Sequence, residues 1–107
     1  MTYRVVYTEA FLNDIDNHVD YLLEQGASVE TITAWYDTLF ERLDALHDMP
    51  RRLPVDEEMT GLMRHEIRKF NYGDHLAFYR VIDDQQRVDL LHFQHGARER
   101  ERYARRD

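Results

Sequence analysis

Between Asn71 and Phe93 the sequence carries two apolar runs of strand character separated by one short polar stretch. Leu76, Phe78 and Ile82 alternate with Ala77, Tyr79 and Val81, so both faces of the first run are apolar. A strand of that kind has to be covered on both sides for much of its length. Asn71 to Asp74 is the turn that precedes it, with Gly73-Asp74 as a hairpin corner. Asp83 to Gln86 then turns the chain into a last strand through Val88, Leu90, Leu91 and Phe93. Sheet therefore lies at the centre of whatever this chain forms. The rest of the sequence has to supply its layers.

It supplies helices. Tyr3-Arg4-Val5-Val6-Tyr7 is a short stretch of β-formers. Thr8 is suited to cap a helix beginning at Glu9, and that acid is well placed for the helix dipole. Phe11, Ile15, Val19, Leu22 and Leu23 recur at helical spacing, and Asn13, Asp14, Asp16, Asn17 and Asp20 fall largely on the opposite face. This amphipathic helix ends near Gly26, and Ser28 is the next N-cap. Ile32, Trp35, Tyr36, Leu39, Leu43 and Leu46 predict a second helix, stopped by Pro50, with Trp35 and Tyr36 at its contact with the sheet. So short a connection implies an antiparallel helical hairpin. Arg51 to Thr60 holds a proline and a run of acids and reads as an exposed loop, and weak alternation from Leu62 to Phe70 predicts a strand. The expected fold is α+β, in the order β-αα-βββ with a charged, helical C-terminal tail. An antiparallel sheet carries the hairpin on one face. At 107 residues the chain is expected to be a single domain, residues 1–107.

Composition narrows the function classes. There is no cysteine, which removes disulfide frameworks and thiolate metal sites and suits a reducing cytoplasm. No signal-peptide pattern or membrane-length apolar run is present, so a cytoplasmic protein without membrane contact is expected. The net charge of −7 conceals an asymmetry. Residues 1–60 carry 4 basic and 13 acidic side chains, whereas residues 61–107 carry 10 basic and 8 acidic. That division favours a protein partner over generic nucleic-acid binding, which needs a clearly basic surface. Lys69 is the only lysine; arginines make up the other basic residues and favour forked recognition of carboxylate or phosphate.

The order of elements, with Tyr3-x-Val5-x-Tyr7, Ala10, Asp14-Ile15, Tyr21, Trp35, Leu46 before Pro50, Gly61 before Arg64, Leu76-x-Phe78-Tyr79-Arg80-Val81 and His95-Gly96-Ala97-Arg98-Glu99, resembles the RelE/ParE superfamily of toxins from type II toxin–antitoxin pairs. His-Gly-Ala-Arg at the end of the last strand looks most like the ParE branch. That resemblance implies a toxin that inhibits DNA gyrase by protein binding, with growth arrest and plasmid stabilisation as cellular consequences. It also implies neutralisation by a cognate antitoxin, whose disordered segment folds along the hairpin and sheet. Basic residues on the sheet side suit an acidic segment of that partner. The alternative is a RelE-like, ribosome-dependent endonuclease acting on mRNA. A third class is a degenerate, non-toxic member that binds its antitoxin and poisons nothing.

Each reading assigns residues. A ParE-like action needs a surface and no catalytic group, and Arg98, Arg100, Arg102, Arg105 and Arg106 are the target-binding candidates. RNA cleavage through a 2′-hydroxyl needs a proton acceptor, a proton donor and cations around the phosphate. By resemblance Arg98 and Tyr103 would serve it, with His75 or His95 in proton transfer and Arg68 as a further cation. Glu66 stands where that chemistry wants a cation. His92 and His95 fall on opposite strand faces without an accompanying ligand motif, so no metal and no cofactor are expected. Arg80 either pairs with an acid or lines the functional face.

Overall fold

The computed structural model describes residues 2–96. Its elements are β1 (Arg4–Tyr7), α1 (Glu9–Glu24), α2 (Val29–Asp44), α3 (Glu57–Met63), β2 (Arg68–Tyr72), β3 (His75–Ile82) and β4 (Arg87–His95). The four strands form one sheet in the order β1-β4-β3-β2. β2, β3 and β4 are a meander of antiparallel neighbours. β1 joins the far side of β4 in parallel, with Val5 beside Val88 and Tyr7 beside Leu90. The α+β fold is as expected, and the N-terminal strand makes its sheet mixed.

The starts of α1 and α2 are set by side chains. Thr8 Oγ1 accepts from the Phe11 N–H, and Ser28 Oγ accepts from the Thr31 N–H. Thr8 also ties α1 to the sheet, because its N–H and its hydroxyl both donate to the Leu90 carbonyl. Phe11, Ile15, Leu39, Leu43 and Leu46 pack against Ala77, Tyr79, Val88, Leu90 and Phe93, which forms the main core. Trp35 lies against that core, whereas Tyr36 is 40% exposed and meets Phe40 with tilted ring planes, 4.6 Å between centroids. Tyr36 thus serves the hairpin surface rather than its contact with the sheet.

One irregularity sets which residues point inward. The pairing of β3 with β4 shifts between Phe78 and Tyr79, so that Phe78 faces His92 and Tyr79 faces Leu90. Leu91 is the extra residue of a β-bulge. Without it, strict alternation would turn Phe93 away from the hairpin. With it, Leu90 and Phe93 both enter the main core, and Leu91 joins a second cluster on the other face.

That second cluster centres on Met59, Ile67 and Phe78, flanked by Leu62, Met63, Leu76 and Leu91. Its helical half is α3, in a region expected to be loop followed by strand. Asp56 caps α3 by accepting from the Met59 N–H at 3.0 Å, with Glu57 and Glu58 in the first turn. The strand starts only at Arg68, because Leu62 and Met63 are helical and Arg64 closes the helix in the left-handed region. Nor does α2 run to Pro50. It ends at Asp44, and two tight turns, Ala45–His47 and Pro50–Arg52, carry the chain onward through a left-handed Met49. Leu46 reaches the core from the first of these turns.

Asp56 is 3% exposed and also pairs with Lys69 Nζ at 3.4 Å. Asp56→Ala removes the cap and strands the lysine, and should cost about 2–3 kcal/mol in urea unfolding. Asp56→Asn, which keeps an acceptor for the cap, should cost less. A second expectation concerns alkaline pH. Tyr79 is fully buried, its hydroxyl donates to the Pro50 carbonyl, and burial pushes its phenol from 10.0 up to about 12. The unfolded chain therefore loses this proton first. The stabilisation is intact below pH 10 and is lost as pH rises toward 12. Tyr79→Phe should remove about 2–3 kcal/mol of that alkaline decline while starting about 1 kcal/mol less stable at neutral pH.

Candidate functional site

The residues singled out for function fall in three places. Arg98, Arg100, Arg102, Tyr103, Arg105 and Arg106 lie outside the described residues. His75 opens β3 and sits opposite His95 of β4 in the register. Its ring is parallel to Phe93 at 4.9 Å and meets His18 edge-on at 4.3 Å and His95 at 5.0 Å. Trp35 closes the group, 4.9 Å from His18 and 6.2 Å from His75. Three imidazoles from α1, β3 and β4 are thus gathered among aromatic rings on the hairpin side of the sheet. His92 points the other way and meets Asp14 Oδ2 with Nδ1 at 3.5 Å. Among the described residues, no group of three or more His, Asp or Glu side chains is arranged to hold a metal ion.

The second place is the cluster around the turn Pro50–Arg52. Arg68 Nη1 donates to the carbonyls of Arg51 and Leu53, at 2.9 and 2.5 Å, and Nη2 reaches Glu66 at 3.1 Å. Its side chain is 14% exposed. Arg51 in turn forks between Glu66 at 2.8 Å and Asp83 at 2.6 Å, and the Tyr3 hydroxyl donates to Asp83. The Asp83 carboxyl is held below its usual range, first by its bond from Arg51 and then by that from Tyr3. The bond to Asp83 likewise raises the Arg51 guanidinium and the Tyr3 phenol. This network fastens the turn to β2 and to the β3–β4 corner. Arg68 is a clamp whose donors point at backbone oxygen. Lys69, the next cation along β2, is held by Asp56.

The third place is the sheet face opposite the hairpin. Val5, Tyr7, Tyr79, Val81, Val88 and Leu90 turn toward the main core, so Arg4, Val6, Arg80, Ile82, Arg87 and Asp89 turn away from it. The register sets these six in two rows across three strands. Arg4, Arg87 and Ile82 form one row, and Val6, Asp89 and Arg80 the other. Arg87 is fixed by a forked pair of bonds to Asp89, at 2.7 and 3.1 Å. Arg4 and Arg80 form no ion pair or side-chain hydrogen bond among the described residues. Arg80 is half-buried on this face and meets no acid there among the described residues. In the sequence, residues 4, 80 and 87 carry no mark of belonging together, and strand register alone unites them.

A family profile described as the ParE toxin of a type II toxin-antitoxin system, parDE, matches residues 5–100. No curated protein matches the sequence significantly. Among solved structures the fold is similar to a chain in the crystal structure of the toxin–antitoxin complex RelBE2 from Mycobacterium tuberculosis. The TM-score is 0.55 at 18% identity, over 89% of this chain and 92% of that one. At such identity the likeness is one of fold.

The clamp can be tested apart from any activity. Arg68→Ala leaves two carbonyls and Glu66 without their shared donor, and should lower the unfolding free energy by about 2–3 kcal/mol. Arg68→Lys should recover little of that loss, since an ammonium cannot span the same fork. A cation reserved for substrate would show the opposite pattern, with unchanged stability in both variants.

Proposed function

The chain belongs to the ParE toxin family of type II toxin–antitoxin systems, and from that premise we propose that it arrests growth by binding DNA gyrase and is neutralised by a cognate antitoxin. What favours this over cleavage of mRNA is the state of the cations along β2. A ribonuclease needs positive charge aimed at the phosphate and not committed to the fold, together with a base and an acid. Here Arg68 is committed to two backbone carbonyls, Lys69 to Asp56, and Glu66 adds negative charge between Arg51 and Arg68. Inhibition by binding asks for none of these groups. It asks only for a stable fold that presents a surface, and the internal use of the cations serves that fold. The overall charge points the same way, since a net −7 opposes approach to ribosomal RNA.

A DNA-damage reporter in bacteria, read alongside growth after tightly controlled induction, tests the proposal. Growth arrest with reporter induction is the expected result. Arrest with a silent reporter would move the assignment to RNA cleavage, with Arg98→Ala and Tyr103→Phe as the next variants. Unimpeded growth with soluble, folded protein would remove toxicity from the account and leave an antitoxin-binding member of the family.

A further inference from the structure

Gln94 is a polar residue in a buried place. It lies near the end of β4, next to Phe93 of the main core, and is 1% exposed. Neither its Nε2 nor its Oε1 meets a hydrogen-bond partner among the described residues. A buried carboxamide in that state opposes folding, because the bonds it gives up to water are not replaced. An apolar side chain of the same length would fill the position without that penalty. The register gives Gln94 two neighbours, Leu76 of β3 beside it and Asn71 of β2 beside Leu76. Phe70, Ala77 and Phe93 face the main core, so Asn71, Leu76 and Gln94 face away from it. Asn71 is exposed, and its side chain forms no hydrogen bond among the described residues. Two uncommitted carboxamides thus flank one apolar side chain, on strands about 10 Å apart. β1 ends opposite Leu90, so the end of β4 lacks the strand that flanks its beginning. Opening such an end locally costs less than unfolding the sheet.

We propose that Gln94 binds the main chain of the toxin's protein target, with Asn71 and Leu76 completing the site. This rests on the reading that the toxin acts by holding DNA gyrase, and it names the residue and the bonding chemistry of that hold. A carboxamide carries a donor and an acceptor side by side, and the main chain presents the matching acceptor and donor. In an extended segment each residue advances about 3.3 Å, so peptide groups three residues apart span the row from Asn71 to Gln94. An apolar side chain between them lies over Leu76. The bonds that Gln94 forgoes in the free fold are made in the complex, and a surface without peptide groups to offer leaves it unmatched. A nucleobase edge can also bond a carboxamide. The chain's net charge of −7, however, opposes the phosphates that come with it.

The test sets stability against binding in the full-length chain. Gln94→Met keeps the length of the side chain and removes the amide. Its melting temperature should rise by about 4 °C. Its affinity for immobilised DNA gyrase, followed by surface plasmon resonance, should fall by about tenfold. Gln25→Met makes the same exchange at an exposed position after α1 and should change neither quantity. A side chain that only packs or only bonds within the fold would show a lower melting temperature in Gln94→Met, and that result would overturn the proposal. A raised melting temperature with gyrase binding intact would also overturn it, and would leave the gyrase reading standing. Growth arrest on induction separates the site from the identity of the target. If the parent chain arrests growth without binding gyrase, and the more stable Gln94→Met does not arrest it, the gyrase reading fails and the site stands. A parent that neither binds gyrase nor arrests growth removes both. Binding of an adenylate dodecamer that Gln94→Met weakens would put a base edge in place of the peptide group and overturn the assignment to protein.

Discussion

The parallel register of Arg4–Tyr7 against Arg87–Leu90 is the constraint that the rest of the molecule satisfies. It joins the two ends of the described fold across about eighty intervening residues. Closing so long a loop has an entropic cost that grows only slowly with length, but local contacts cannot meet it. The pairing is supported where the chain leaves it. Thr8 binds the Leu90 carbonyl with backbone and side chain together, then starts α1 with the same hydroxyl. On the other side of the pairing, the Tyr3 N–H donates to the His47 carbonyl, which anchors the far end of the hairpin beside β1. Strand, helix start and hairpin end are thereby tied to one seam. From there α1 and α2 have only one face of the sheet to cover.

Positive charge in this molecule is divided by purpose. The guanidinium groups of Arg51 and Arg68, near the turn Pro50–Arg52, are held by carbonyls and carboxylates, and they fasten an irregular stretch of the chain. Such ion pairs contribute little when exposed, but a fork onto backbone carbonyls from a largely buried side chain contributes more. Those of the open sheet face are supported by strands instead, and two of them remain uncommitted within the described fold.

The hairpin and the last two strands are legible in the sequence because their apolar runs are long, and Thr8, Ser28 and Gly73 mark their boundaries with specific chemistry. The helix Glu57–Met63 is not. Seven residues give too little of a helical period to separate from alternation, and Gly61 lowers the local propensity further. Its only clear signal is Asp56 followed by Glu57 and Glu58, an N-cap with acids in the first turn. The bulge leaves one trace, the adjacent Leu90 and Leu91, which a regular half-buried strand would not need. Arg68 is visible as a cation, but its role depends on carbonyls at residues 51 and 53, whose positions only the folded turn defines. The patch of Arg4, Arg80 and Arg87 is illegible for a simpler reason: three residues so far apart in sequence become neighbours through register alone.

β4 outruns the strand beside it. β1 stops at Tyr7, opposite Leu90, and the next outward-facing donor, the Phe93 N–H, is taken at 3.0 Å by the carboxylate of Asp14 from α1. A sheet edge closed in this way is shielded against adventitious strand pairing without being sealed. The same carboxylate oxygen lies 3.5 Å from His92 Nδ1. Sealing by a side chain is reversible in a way that sealing by a strand is not. To unzip β1 is to undo the fold, whereas to swing one carboxylate aside is a rotamer change. At the margin of the sheet above Leu90, one carboxylate of α1 thus takes the place that a neighbouring strand holds along the rest of the described seam.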